Sequence, residues 1–333
     1  MGDHGAAGIL LAPGTLFGRY RIERVLGRGG MGVVYVAHDE QLDRQIALKL
    51  LSPELAGDAS FRERFIRESR IAAGLEDPNI VPIYEAGELD GFLFIAMRFV
   101  PGTDLQSLIQ RDGQLSAERT LAIVSQVASA LDTAHLRGLV HRDVKPSNVL
   151  VAEREGSRGE HAYLTDFGLV RRVAQGTSLT KTGQFMGSID YVAPEQIRGE
   201  PVDGRADVYS LGCLPYECLA GRPPFHSDLE VTVLYAHLEE PPPAVTATRP
   251  DLPPAIDRVV AKAIAKRPAD RYGTAGELAD DARNALPSLA PPAPPSRRGL
   301  AAGVAAAVVV VGVVAAILAL GRHPAPTIPR RTS

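Results

Sequence analysis

Between Tyr20 and Val36 the chain reads YRIERVLGRGGMGVVYV, with Gly27, Gly29, Gly30 and Gly32 set between two runs of alternating apolar and polar residues. Alternation with a period of two marks strands, so a strand, a glycine turn and a second strand are predicted. Glycines also let the backbone approach a polyphosphate and aim its N–H groups at it. Two familiar phosphate loops are excluded by context. A dinucleotide-binding loop needs a helix after the glycines, but VVYVAHD is strand-like. A Walker-type loop needs Lys-Ser or Lys-Thr next, and neither follows.

Seventeen residues past Gly32, QIALKLL offers a further strand whose one charge, Lys49, is flanked by Ile46, Leu48 and Leu50. An edge lysine that snorkels to water is the plain alternative. Next, FRERFIRESRIAAGLE is an amphipathic helix with Phe61, Phe65, Ala72 and Leu75 on one face. Arg62, Glu63, Arg67 and Arg70 read as a solvated stripe, but Glu68 falls on the apolar face. A carboxylate on the core side needs a cation, and Lys49 is the candidate. Further on, HRDVKPSN (residues 141–148) sets His141, Arg142, Asp143, Lys145 and Asn148 between the apolar GLV and VLV. By itself this could be a polar turn.

Composition narrows the class. With 333 residues and 45% hydrophobic content, the chain can form one large two-lobed unit with an appendage. Residues 1–286 carry 31 basic and 39 acidic side chains, a formal charge of −8, which argues against nucleic acid as a partner. Two cysteines, Cys213 and Cys218, make no disulfide framework. Arginine outnumbers lysine 31 to five, so each retained lysine invites the question of what a compact ammonium does there.

Near the C-terminus PSLAPPAPPS predicts a semi-rigid linker over 287–298. Residues 299–321 contain no charged side chain. Roughly 22 residues at about 1.5 Å each reach about 33 Å, enough for a membrane span. Arg297 and Arg298 on one side, and Arg322, Arg330 and Arg331 on the other, leave the positive-inside rule nearly tied. No signal peptide is expected at the N-terminus.

Taken in order, the glycine loop, Lys49, Glu68, HRDVKPSN, DFG (166–168) and GSIDYVAPEQ (187–196) resemble the eukaryotic-type (Hanks-type) protein serine/threonine kinases, closest to the bacterial transmembrane members. The resemblance covers about residues 16–286. It implies an α+β bilobal protein-kinase fold: an N-lobe (about 16–97) of small antiparallel sheet plus one helix, and a larger, mainly helical C-lobe (about 101–286). A flexible N-terminus (1–15), the linker, one C-terminal transmembrane helix and a short extracytoplasmic tail (322–333) complete the expected organisation. The kinase domain would lie on the cytoplasmic side of the cell membrane, where ATP is.

Carried over by resemblance, ATP would meet Leu26, Gly27, Gly29, Gly30, Gly32, Val34, Ala47, Lys49, Met97, Phe99 and Val100. Met97 would be the gatekeeper, and Phe99 and Val100 would supply hinge hydrogen bonds. Lys49 would hold phosphates and pair with Glu68; Asp143 would accept the proton of the substrate hydroxyl; Lys145 would steady the moving phosphoryl group. Asn148 and Asp166 would bind Mg2+, with Mn2+ as an alternative. Arg142 would await an activation-loop phosphate, with Thr180 and Thr182 as autophosphorylation sites. Ser188 stands where the family usually has Thr, Glu195 would pair with Arg271, and Asp207 would hold the catalytic-loop backbone. The expected partners are protein substrates with Ser or Thr acceptors, the membrane and a second copy of the chain, but no nucleic acid. A pseudokinase acting as a binding module is the rival class; against it, Lys49, Glu68, Asp143, Asn148 and Asp166 are all present.

Two features depart from the pattern. Pro215, inside LGCLPYECL, removes a helix hydrogen bond and predicts a kink near Gly212. AEREGSRGEH (152–161) predicts a lengthened hairpin loop.

Overall fold

The computed structural model of the chain describes residues 10–29, 32–153, 159–167 and 189–286. Gly30, Thr180, Thr182, Ser188, the linker, the apolar run at 299–321 and the tail lie outside them. Among the described residues no helix is long and apolar enough to cross a membrane.

A curled antiparallel sheet is joined to a helical lobe, the two-lobed arrangement that the resemblance implies. The sheet has six strands: β1 (Leu16–Phe17), β2 (Tyr20–Gly29), β3 (Gly32–Asp39), β4 (Arg44–Leu51), β5 (Ile83–Leu89) and β6 (Phe92–Arg98). Their spatial order is β1-β2-β3-β4-β6-β5. Between β4 and β5 lie not one helix but two, the single turn α1 (Pro53–Ala56) and the longer α2 (Ala59–Ala73). Pro53 at the first position of α1 explains the extra turn, since proline there loses no intrahelical bond. Asp58 caps α2, its side chain accepting from the Ser60 and Phe61 amides.

Alternation along the strands sorts side chains into two cores. Tyr35, Ala37, Ile46, Leu48, Leu50, Phe94 and Ala96 pack on one side of the sheet with Phe17 and Tyr20. Ala47, Leu51, Leu93, Ile95 and Met97 face the other way, into the core shared with the helical lobe. The segment before β1 is tied down as well, because the Leu11 amide donates to Tyr35 Oη at 3.2 Å and the Gly14 amide to the Ile22 carbonyl at 2.7 Å.

The helical lobe contains β7 (Thr103–Asp104), α3 (Leu105–Asp112), α4 (Ala117–Leu136), β8 (Val149–Glu153), β9 (Glu160–Leu164), α5 (Pro194–Arg198), α6 (Gly204–Ala220), α7 (Glu230–Glu239), α8 (Ala255–Ala263) and α9 (Ala275–Ala285). Strands β8 and β9 pair antiparallel from Val149↔Leu164 to Glu153↔Glu160, so AEREGSRGEH does span a hairpin; residues 154–158 lie outside the described residues. Helix α6 is the axis of the lobe, with every residue from Ala206 to Ala220 buried, both cysteines included. It continues through Pro215 as one helix. At Gly212 a Cβ would stand 2.5 Å from Ala263 Cβ, so glycine is what lets α6 and α8 pack this closely.

The lobes are stitched by polar contacts beside α2. Asn79 Nδ2 donates to the Ala162 carbonyl at 3.0 Å and to Gln126 Oε1 at 3.1 Å, while the Val81 amide donates to the Leu164 carbonyl at 3.0 Å. These bonds fix the sheet's lower edge against β9 and α4, and with it the cleft.

Candidate active site

Side chains directly opposite in an antiparallel pair share a face. Val34 lies opposite Lys49, Lys49 opposite Ile95, and Ala47 opposite Met97. Lys49 thus projects among apolar residues into a cavity that Ile83, Ile95, Met97, Thr165 and Asp166 also line. Leu26 is exposed, and Phe99 and Val100 are half-buried just beyond β6; none of the three lines that cavity. Gly27 and Gly29 have no atom within 4 Å of where a Cβ would stand, so packing does not require glycine at either. Gly32 differs: its φ is +145°, and a Cβ there would collide with the Leu50 carbonyl oxygen.

Lys49 Nζ lies 2.7 Å from Asp166 Oδ1. The resemblance implied Glu68 as the partner of Lys49; the structure sets Asp166 against the ammonium at this distance. Glu68 is buried on α2, and Arg67 Nη2 approaches its Oε1 at 3.5 Å. Asp166 itself adopts φ +58°. Burial opposes ionisation of Asp166, but the Lys49 charge outweighs it and holds the carboxyl below its ordinary value.

The loop after α4 supplies the second half. Lys145 Nζ lies 2.9 Å from Asp143 Oδ2, and Asn148 Nδ2 donates to the same oxygen at 3.2 Å and to the Asp143 carbonyl at 2.8 Å. With its nitrogen so engaged, Asn148 has Oδ1 as the atom suited to a cation, and Asp166 offers carboxylate oxygens. Hard oxygen donors of this kind suit Mg2+.

Asp207 holds the loop from beneath. It is fully buried in the first turn of α6, whose N-cap is Asp203. Its Oδ2 accepts from the His141 amide at 2.8 Å and its Oδ1 from the Arg142 amide at 2.7 Å. His141 is structural: Nε2 bonds the Thr165 carbonyl at 3.0 Å, Nδ1 accepts from the Asp143 amide at 3.2 Å, and the ring packs on Phe167. Burial pushes its pKa down, in keeping with a neutral ring. Below the loop, Arg271 grips Glu195 with two bonds of 2.7 Å and also reaches the carbonyls of Arg205 and Ala265.

Two contributors escape a reading of the sequence. His135, in the last turn of α4, places Nε2 2.7 Å from Asp207 Oδ2. Burial acts to lower its pKa, yet bonding and attraction to Asp207 prevail and raise it. Gln196, on α5, bonds the Arg142 carbonyl. Its sequence signal is its place three residues after Ala193, the capping-box position, although Ala193 has no side-chain oxygen.

Comparison with known proteins agrees with this geometry. The family described as protein kinase domain matches residues 20–282. The serine/threonine-protein kinase PknH of Mycobacterium bovis is 46% identical over 273 residues, 82% of this chain and 45% of that protein. PknD of Mycobacterium tuberculosis is 46% identical over 274 residues, covering 82% and 40%. The chain thus spans less than half the length of these relatives. The crystal structure of the Mycobacterium tuberculosis PknI kinase domain is similar with a TM-score of 0.67 and 38% identity, covering 84% of this chain and all of that one.

Proposed function

We propose that this chain, which belongs to the protein kinase domain family, transfers the γ-phosphate of ATP to serine or threonine hydroxyls of proteins. The observation that carries this reading is the convergence of Lys145 and Asn148 on one carboxylate, Asp143, with the Lys49–Asp166 pair in the neighbouring cavity. In the reaction, the bond between the γ-phosphorus and its bridging oxygen breaks as the acceptor oxygen attacks. Asp143 takes the hydroxyl proton, Lys145 offsets charge on the moving group, and Lys49 anchors the phosphates that remain. Asn148 and Asp166 would hold Mg2+, which would supply further charge neutralisation. Gly27 and Gly29 leave the backbone open to phosphate, while Ala47 and Met97 offer an apolar surface to adenine.

Lys145, two residues after Asp143, favours Ser and Thr acceptors by resemblance. Arg142 would pair with phosphate on Thr180 or Thr182 and so order the loop for activity. Membrane anchoring through residues 299–321, with the kinase domain cytoplasmic, belongs to the same proposal and rests on the uncharged apolar run. Association of two copies is the route by which one chain would phosphorylate another.

Radiolabelled ATP with generic protein acceptors, comparing wild type and Asp143→Asn in the presence of Mg2+, tests the reading. Transfer should fall at least about a hundredfold in the variant. Wild-type transfer no better than the variant's, with both folded, would sink it and leave a binding module. Mass spectrometry after incubation with Mg-ATP tests Thr180 and Thr182. Resistance of the full chain to carbonate extraction from membranes tests the anchor.

A further inference from the structure

Arg142 adopts φ +65°, a conformation that is unfavourable for a non-glycine residue and persists only where its surroundings impose it. The structure shows what imposes it. The amides of His141 and Arg142 both donate to Asp207, which fixes the two peptide units leading into Arg142. The next unit, between Arg142 and Asp143, is held at both ends. Its carbonyl accepts from Gln196 Nε2 at 3.0 Å, and its amide donates to His141 Nδ1 at 3.2 Å. A peptide unit is planar and rigid, so two bonds at opposite ends fix its rotation, and that rotation aims the Asp143 side chain.

Gln196 is buried, with 4% of its surface exposed, and both ends of its amide are used. Oε1 accepts from the Ala193 amide at 3.0 Å while Nε2 donates to Arg142. The amide orientation follows from chemistry, since only oxygen can meet an N–H and only nitrogen a carbonyl. Without the second bond, the described contacts would leave the unit before Asp143 held through the longer contact to His141.

We infer that Gln196 is a positioning residue for phosphoryl transfer, tying α5 to the catalytic loop and setting the orientation of Asp143. The inference rests on the proposed kinase reading. Gln196→Glu separates the two bonds: a carboxylate still accepts from the Ala193 amide but cannot donate to Arg142. Gln196→Met removes both bonds without adding charge. Steady-state transfer to a generic protein acceptor by the full chain, normalised to the folded fraction, is to be compared for wild type, both variants and Asp143→Asn. Both Gln196 variants should lose about fivefold or more in kcat, with KM for Mg-ATP within about twofold of wild type.

A cap that merely holds α5 would leave Gln196→Glu active. Either variant within about fivefold of wild-type kcat, or a loss carried by KM for Mg-ATP, would therefore overturn the inference. If Gln196→Glu does not fold, Gln196→Met decides by the same criterion; if neither folds, Gln196 is a folding residue and the inference fails. A wild type no better than Asp143→Asn is a different result, and overturns the kinase reading itself.

Discussion

Lys49 and Asp166 are joined across the cleft at 2.7 Å, one from β4 and the other from just beyond β9. The ammonium is the counter-ion of a carboxylate, and in the proposed reaction it would also anchor phosphate. Lys49→Met should lower stability as well as abolish transfer. In a double-mutant cycle with Asp166→Asn, urea denaturation should give a coupling energy of about 1 kcal/mol, modest because both side chains keep some contact with solvent. Strictly additive losses would show the pair to be energetically idle.

The glycines should divide by purpose. Gly32→Ala places a Cβ against the Leu50 carbonyl at a φ that L-residues avoid, and should destabilise the chain by about 1–3 kcal/mol. Gly29→Ala meets no atom, so the melting temperature should hold while KM for ATP rises severalfold. Thermal melting together with ATP-dependence curves distinguishes the two.

Breaking the buried Glu195–Arg271 pair should be costly. Arg271→Ala leaves Glu195 buried without its cation and orphans several carbonyls, a loss of about 3–5 kcal/mol. Arg271→Lys should recover little, because an ammonium cannot reproduce the two parallel bonds. Chemical denaturation midpoints with an unchanged slope would measure this.

Acid should unfold the helical lobe through His237. Its Nδ1 lies 2.8 Å from Tyr209 Oη, and burial, aided by the nearby Lys266 charge, pulls its pKa down to about 3. An unfolded histidine titrates near about 6.5, so below that pH the unfolded chain binds a proton that the native chain refuses. Stability therefore falls as pH drops from about 6.5 toward about 3, by about 3 kcal/mol between pH 7 and 4.5. His237→Asn should flatten melting-temperature profiles over this range. His135 has the opposite sign: its raised pKa gives stability that is complete below about pH 6.5 and fades as pH rises through the folded value.

Much of the fold was legible because it is written in local periodicity and punctuation. Alternation gave β2 to β4, and the apolar face of α2 placed Glu68 on the buried side. The order of the motifs gave the lobes and the cleft. Polar contacts between distant residues were not legible. Asn79 meets Ala162 across 83 positions and His135 meets Asp207 across 72, and no spacing rule connects such pairs. Lys49 and Asp166, 117 positions apart, are a further such pair.

Cys213 and Cys218 are the chain's two cysteines, and burial inside α6 pushes both thiols well above their ordinary pKa. Neither offers an accessible thiolate, so a maleimide or iodoacetamide should leave the native protein unmodified. Such a reagent would react only when the axis of the lobe opens to solvent. The pair thus forms an internal clock: the rate of alkylation, followed by mass, reads how often the helical lobe comes apart, without any label having been introduced.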